Sequence, residues 1–277
     1  MASDLLIVYD NAVDRATASA DSTSGSTAIA SNLKNDIKGK IHRSGYAGSV
    51  EYKFTWTTNQ TIGAVAIPAT NVPSTVVMTV GLYSDDNWTT SIYNGSSSAF
   101  TYSDISNWNN YSGSATANEF GSGRYSSGYH IIGSNWANVR SAKVTLTGDT
   151  SGTLIDTSRI VAGRAWRPIR YASNGLQFSI EDTSSKVKTN SGNVMVDPGF
   201  KYNNLSFDIK YMDETDRTEL IKILKMVGSS KNVFVSVFPS SASRLRDDYS
   251  IYGTITKSPL TYEIYGYYTN TISIEGW

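Results

Sequence analysis

From Val50 to Trp56 the chain alternates, with Val50, Tyr52, Phe54 and Trp56 on one side and Glu51, Lys53 and Thr55 on the other. Successive side chains of an extended chain point to opposite faces, so a period of two marks a strand with one face buried and one in water. Val139–Leu146 alternates in the same way. Thr61–Ala69 is instead a continuous Ile/Val/Ala run, which predicts a strand buried on both faces. Leu5–Tyr9, Val76–Tyr83 and Asp156–Gly163 are further short strands, and Asp85-Asp86-Asn87 is a turn. Residues 10–30 are small and polar and read as loop. Residues 94–135 are the least regular part, rich in Asn, Ser and Gly, with Tyr102, Trp108, Tyr111, Tyr125, Tyr129 and Trp136 scattered through them. Several strands with turn signals between them predict a jelly-roll β-sandwich for the first half.

The texture changes around Trp166-Arg-Pro168, which places a boundary between residues 1–165 and 166–277. Strands are predicted at Leu176–Ile180, Val187–Thr189, Leu205–Tyr211, Val233–Phe238, Ser250–Thr256 and Thr271–Glu275. A single helix interrupts them at about 213–227. Asp213 is its N-cap, Asp216 stands at N3, and Leu220, Ile221, Leu224 and Val227 form its apolar stripe. Gly228 follows where a C-terminal glycine ends a helix. The chain is therefore predicted to be all-β, with a second β-sandwich or split barrel carrying one helix.

Cysteine is absent, which excludes disulfides, thiol nucleophiles and thiolate metal sites. Lys plus Arg equals Asp plus Glu at 24 each, so the basic excess that nucleic acid or an anionic membrane selects is missing. Met1–Tyr9 lacks the basic start of a signal peptide, and no apolar run reaches the ~20 residues that span a bilayer. Synthesis in a cytoplasm without membrane insertion is the expectation.

Catalytic signatures are sparse. His130, in Gly128-Tyr-His-Ile-Ile132, reads as an ordinary strand or loop histidine, and His42, in Lys40-Ile-His-Arg43, as a surface one. Neither joins a Ser-His-Asp or H-E-x-x-H pattern. Glu51, Glu119, Glu181, Asp104 and Asp156 are the right residue type for glycoside hydrolysis, but nothing in their spacing brings two together. Asp85 and Asp86, like Asp182 and Asp197, offer calcium-type oxygen ligands, although a solvated turn is the plainer reading. No phosphate-cradling loop precedes a helix, and no cofactor is expected. The better signal is aromatic. Trp88, Trp108, Tyr111, Tyr125 and Trp136 lie in or beside Asn- and Ser-rich loops, as side chains that stack on sugar rings do. The alternative is that they plug the ends of the sandwich or make subunit contacts, where Tyr and Trp are also enriched.

Four segments carry a resemblance to bacteriophage tail-tip proteins. They are Ala30–Lys34, Val80–Asp86, Ser158–Gly163 leading to Trp166-Arg-Pro168, and the stretch from Asp197-Pro198 to Phe238-Pro239. The first half resembles the galactose-binding-like jelly roll of discoidin modules, without the cysteine pair that often closes them. The second resembles the ring-forming domain of distal tail proteins in Leu205–Lys210, Asp213–Gly228 and Val233–Phe238. The resemblance implies a structural subunit of the virion tail tip or baseplate, not an enzyme. It also implies a homo-oligomeric, six-fold ring that contacts tail tube and hub proteins. In that setting the jelly roll would face outward, where a host surface glycan is its natural ligand.

Overall fold

The computed structural model describes residues 5–276 except 38, 73–74, 99, 101–125, 150–151, 153, 171, 173–174, 189–191, 241–244 and 265. In the first half the strands are β1 (Leu6–Tyr9), β2 (Thr17–Ala20), β3 (His42–Ala47), β4 (Ser49–Thr70), β5 (Val77–Tyr83), β6 (Ser91–Ser97), β7 (Ser126–Thr147), β8 (Leu154–Thr157) and β9 (Val161–Trp166). The second half holds β10 (Gln177–Asp182), β11 (Ser185–Lys188), β12 (Val194–Asp197), β13 (Lys201–Met212), β14 (Asn232–Ser236), β15 (Ser250–Lys257), β16 (Leu260–Ile264) and β17 (Tyr267–Gly276). Helix α1 (Glu214–Val227) separates β13 from β14. The described residues are thus all-β with one long helix and a single helical turn at Leu245–Asp248, and the first half is a jelly-roll sandwich.

Two 22-residue strands, β4 and β7, build that sandwich. The alternating 50–56 stretch and the apolar 61–69 run, read in the sequence as two strands, are one strand that bends. Its ladder with β7 runs in register from Ser49↔Thr147 to Thr55↔Ser141, then shifts repeatedly between Thr55 and Ala64. Bulges of this kind let one strand turn a corner and serve both layers of a sandwich. Tyr52 and Phe54 from before the corner, and Val65 and Ile67 from after it, therefore meet in one core with Val80, Leu82, Val144 and Leu146.

The apolar run is buried on both sides, as its composition predicts. Val65 and Ile67 face the sandwich core, while Ala64 and Ala66 face Leu6, Val8, Tyr129, Phe234 and Tyr252. Strand β1 lies in this seam. It pairs antiparallel with β9 (Val8↔Ala165) and with β14 (Val8↔Phe234), and its four residues are fully buried. Leu5, Ile7 and Tyr9 enter the core of the second half beside Trp166, Phe207, Leu220 and Ile272. One hydrogen-bonded path therefore runs β10-β13-β17-β15-β14-β1-β9-β4-β7-β5-β6 through both halves.

Several local expectations need correction. Residues 10–30 are not plain loop: a 3-10 turn at Ala12–Arg15 is followed by β2, which pairs with β4. The expected strand at 156–163 is broken at Ser158-Arg159-Ile160 into β8 and β9. Helix α1 has the predicted caps: the Asp213 carboxylate accepts from the Asp216 N–H, and Gly228 ends it at φ 58°. Its buried face is Asp216, Leu220, Ile223 and Val227, so Ile223 takes the place expected for Ile221.

Candidate functional site

Among the described residues, no other sheet covers the outer face of the β2-β4-β7-β5-β6 layer. Cross-strand register puts Lys53 directly opposite Lys143, and Lys143 opposite Gly81. Like charges placed directly opposite on neighbouring strands repel. Glu51 lies between them, 3.0 Å from the Lys53 ammonium and 3.9 Å from that of Lys143. The Trp88 ring covers both lysines, with its centroid 5.5 Å from Lys53 Nζ and 5.9 Å from Lys143 Nζ. Tyr83 stands beside it, 5.8 Å from Lys143 Nζ, and its ring lies so close over Gly81 that a Cβ there would sit 2.8 Å from the hydroxyl.

The β5–β6 turn fixes Trp88 in place. Asp85 accepts from the backbone N–H groups of Asn87, Thr89 and Thr90 and from the Thr89 hydroxyl. Hydrogen bonds from the Thr90 and Thr89 side chains, followed by those from the backbone, hold its carboxyl well below the usual range. The Ser141 hydroxyl donates to the Asp85 carbonyl at 2.7 Å and ties the turn down to β7. Trp88 itself has φ 58°, a left-handed conformation that is unusual for a bulky side chain. A partly buried indole is thus held over two ammonium groups on a face that also carries Thr79, Thr145 and Ser96, which pair across the ladder two residues from Lys143 and Gly81. Both Asp85 carboxylate oxygens are occupied by its own turn, and among the described residues no group of three carboxylates or histidines is placed to hold a metal.

Trp136, on β7, is 37% exposed and lies on the other side of the layer. Its neighbour Tyr93, 6.5 Å away between centroids, pairs across the ladder with the core residue Leu82 and so faces inward. Trp88 and Trp136 are therefore not brought together. Trp108, Tyr111 and Tyr125 lie outside the described residues, as do Asp104 and Glu119. Lys53 and Lys143 stand in the two alternating strands of the sequence, but nothing there marks them or Tyr83 as site residues. Lys53 sits in an evident alternation, but its opposition to Lys143 depends on a register the sequence does not display.

The histidines are both internal. His130 meets the Tyr93 hydroxyl at 2.7 Å through Nε2 and the Ser97 hydroxyl at 2.8 Å through Nδ1, and among the described residues no carboxylate completes that chain. His42 is not on the surface: it is fully buried, edge-on to Tyr52 at 5.1 Å. Alternation along β3 turns His42 and Ser44 inward and Arg43 outward. Burial lowers the pKa of both imidazoles. Of the hydrolase candidates, Asp156 is held by a two-pronged pair with Arg43 at 2.6 and 2.7 Å, and Glu51 is engaged with Lys53. Glu181 lies on the fully exposed strand β10.

No protein-family model matches the chain. No curated protein matches it either. Among solved structures, it is similar to chitosan-binding module 1 of a chitosanase/glucanase from Paenibacillus sp. IK-5, with 14% identity and a TM-score of 0.39 over 56% of this chain and all of that one. A fucose-binding module of Streptococcus pneumoniae aligns with 13% identity and a TM-score of 0.36, over 56% of this chain and 96% of that one. A family GH29 fucosidase of Ruminococcus gnavus aligns over 57% of this chain but only 27% of its own length, with 14% identity and a TM-score of 0.38.

A cleft of about 300 Å³ opens on the seam between the halves, lined by Pro68, Ala69, Ser158, Tyr202, Asn203 and Tyr252. The Ser158 hydroxyl donates to the Ala69 carbonyl and the Tyr252 hydroxyl to Asp36, so these two groups are already committed within the fold.

Proposed function

We propose that the protein is a non-catalytic binding protein whose jelly-roll half holds a carbohydrate on the Trp88–Tyr83 face. The observation that carries this reading is the pinned indole. Trp88 is held in a disfavoured backbone conformation by a turn whose carboxylate spends its acceptors on that purpose. Backbone strain of this kind collects where a side chain is being presented. An aromatic ring offers a flat apolar surface to the C–H face of a pyranose. The test is a glycan array followed by calorimetry with Trp88→Ala, Tyr83→Ala and Trp136→Ala proteins. Trp88→Ala should weaken binding at least tenfold while Trp136→Ala leaves it intact. Loss with Trp136→Ala alone, or no glycan bound by the unaltered protein, overturns the reading.

A second reading concerns the other half and is compatible with the first. The protein is a structural subunit of a phage tail tip or baseplate, a homo-oligomeric ring at the end of the tail tube that meets tube and hub proteins and displays the jelly roll outward. It is favoured by one observation, the fully exposed ribbon β11–β12 that stands away from the core. Electron microscopy of purified protein checks it: six-fold rings support it, and monomers at the highest soluble concentration refute it.

A further inference from the structure

Strands β10 and β13 form a long hairpin that outruns the body. They pair from Gln177↔Ser206 to Asp182↔Lys201, and the hairpin then continues as β11 and β12, from Ser185↔Asp197 to Lys188↔Val194. Its neck is tied. Thr183 N–H donates to the Phe200 carbonyl at 3.1 Å, Phe200 N–H to the Thr183 hydroxyl at 2.9 Å, and Gly199 N–H to the Ser184 hydroxyl at 2.8 Å. Beyond the neck every residue of both strands is exposed. Val187 (62%), Met195 (64%) and Val196 (53%) are nonetheless apolar. The pleat puts Val187 and Met195 on one face, and Val194 and Val196 with Lys186 and Lys188 on the other. A two-stranded ribbon with water on both faces is at best marginally stable by itself. Exposed aliphatic side chains on such a ribbon mark a surface that is covered in use.

A second exposed patch differs in kind. Tyr211 (52%), Tyr262 (56%) and Tyr267 (41%) are exposed where β13 ends and β16 and β17 meet. Tyr211 packs edge-on to Tyr267 at 6.3 Å, and Tyr262 against Tyr268 at 5.3 Å. Glu214, at the start of α1, borders them and pairs with Arg217. The two patches lie at opposite ends of one strand: β13 leaves the ribbon at Lys201 and reaches Tyr211 ten residues later, roughly 35 Å away at the rise of an extended chain.

We propose that these patches are the two halves of one interface between copies of this chain, the ribbon of each copy lying on the tyrosine patch of the next. The chemistry is complementary: aliphatic side chains pack on tyrosine rings, and the Lys186 and Lys188 ammonium groups are drawn to the exposed ring faces of Tyr211, Tyr262 and Tyr267. Placement at opposite ends of a rigid strand makes the contact head-to-tail, which closes into a ring or runs on as a filament. This inference rests on the assembly reading above and names the surface that reading requires.

The absence of cysteine makes the test direct. Val187→Cys and Tyr262→Cys proteins are prepared separately, mixed and oxidised, and the disulfide is located by mass spectrometry. Both positions are exposed, so the substitutions leave the fold intact, which circular dichroism checks. The mixture should give Val187→Cys to Tyr262→Cys dimers in large excess over same-variant dimers. A Met195→Asp protein should dissociate at concentrations at least tenfold higher than the unaltered chain does in light scattering. An oligomer that forms without that cross-link, or that Met195→Asp leaves unchanged, overturns this interface while the assembly reading stands. A chain that stays monomeric throughout overturns both, and capture of the ribbon by a different protein in place of a second copy also counts against the interface.

Discussion

Single side chains in this protein are held by partners far away in sequence, and the two histidines show the cost. His42 is enclosed against Tyr52, with Nε2 3.1 Å from the Ser22 carbonyl, and His130 is held by Tyr93 and Ser97. Burial disfavours the imidazolium in both, and Arg246 adds repulsion at His130. Their folded pKa values are lowered, so as pH falls through about 6.5 the unfolded chain takes up protons that the folded one refuses. Stability is complete above that range and declines below it, by up to about 1.4 kcal/mol per pH unit for each histidine until its folded pKa is reached. The melting temperature should therefore fall between about pH 7.5 and 5.5, and both imidazoles should titrate below about 6.5 in proton NMR. A histidine that titrates at or above its ordinary value contradicts this account. Nothing in Lys40-Ile-His-Arg43 announces such burial, because the sequence does not reveal that the chain there is a strand whose odd-side neighbours point out.

Among the elements, α1 was the most legible, because what defines a helix is local. Its N-cap, acidic first turn and C-terminal glycine lie within a 16-residue window, and each was readable. Which apolar residue faces the core was harder, since Ile221 and Ile223 both border the stripe. The structure buries Ile223 completely and leaves Ile221 partly exposed. Ile223→Ala should therefore cost about 2–5 kcal/mol in chemical unfolding and Ile221→Ala well under half of that. Equal losses would mean that the helix is rotated from the position described. Strands were legible as pieces and not as wholes. β4 read as two strands because its middle, Thr57 to Gln60, is polar where it rounds the corner between layers. The candidate site shares that fate: Trp88 was picked out by residue type and loop setting, whereas its lysine platform comes from cross-strand register set by tertiary pairing.

At the scale of the molecule, the seam decides how the halves behave. β1 hydrogen-bonds to both, and residues from both sides fill the cluster around Leu6, Val8, Ala64, Tyr129 and Phe234. Polar contacts add to it. Arg159, almost wholly buried, reaches Asp14 at 2.6 Å and Asp36 at 2.9 Å, and Asp36 accepts from Tyr252 of the second half. The Tyr129 hydroxyl meets that of Ser236 at 2.8 Å, and the Tyr9 hydroxyl donates to Glu219 at the same distance. Two halves joined this tightly should melt together. Ile7→Ala, which opens a cavity in a strand common to both, should lower stability by about 2–5 kcal/mol and keep a single calorimetric transition. Two separated transitions in the unaltered protein would show that the seam is weaker than its contacts imply.

The place of β1 also sets a timetable. Ile7 pairs with Trp166 on one side and Val235 on the other, so β1 waits for partners made much later in the chain. At ~5–20 residues per second, a ribosome needs roughly ten to fifty seconds to travel from Ile7 to Val235. Throughout that interval an apolar segment lacks its full set of neighbours, with both edges bare until β9 emerges and one edge bare until β14 does. Until β14 pairs, anything that binds extended apolar peptide can occupy that edge of β1, so the yield of folded protein should depend on translation speed.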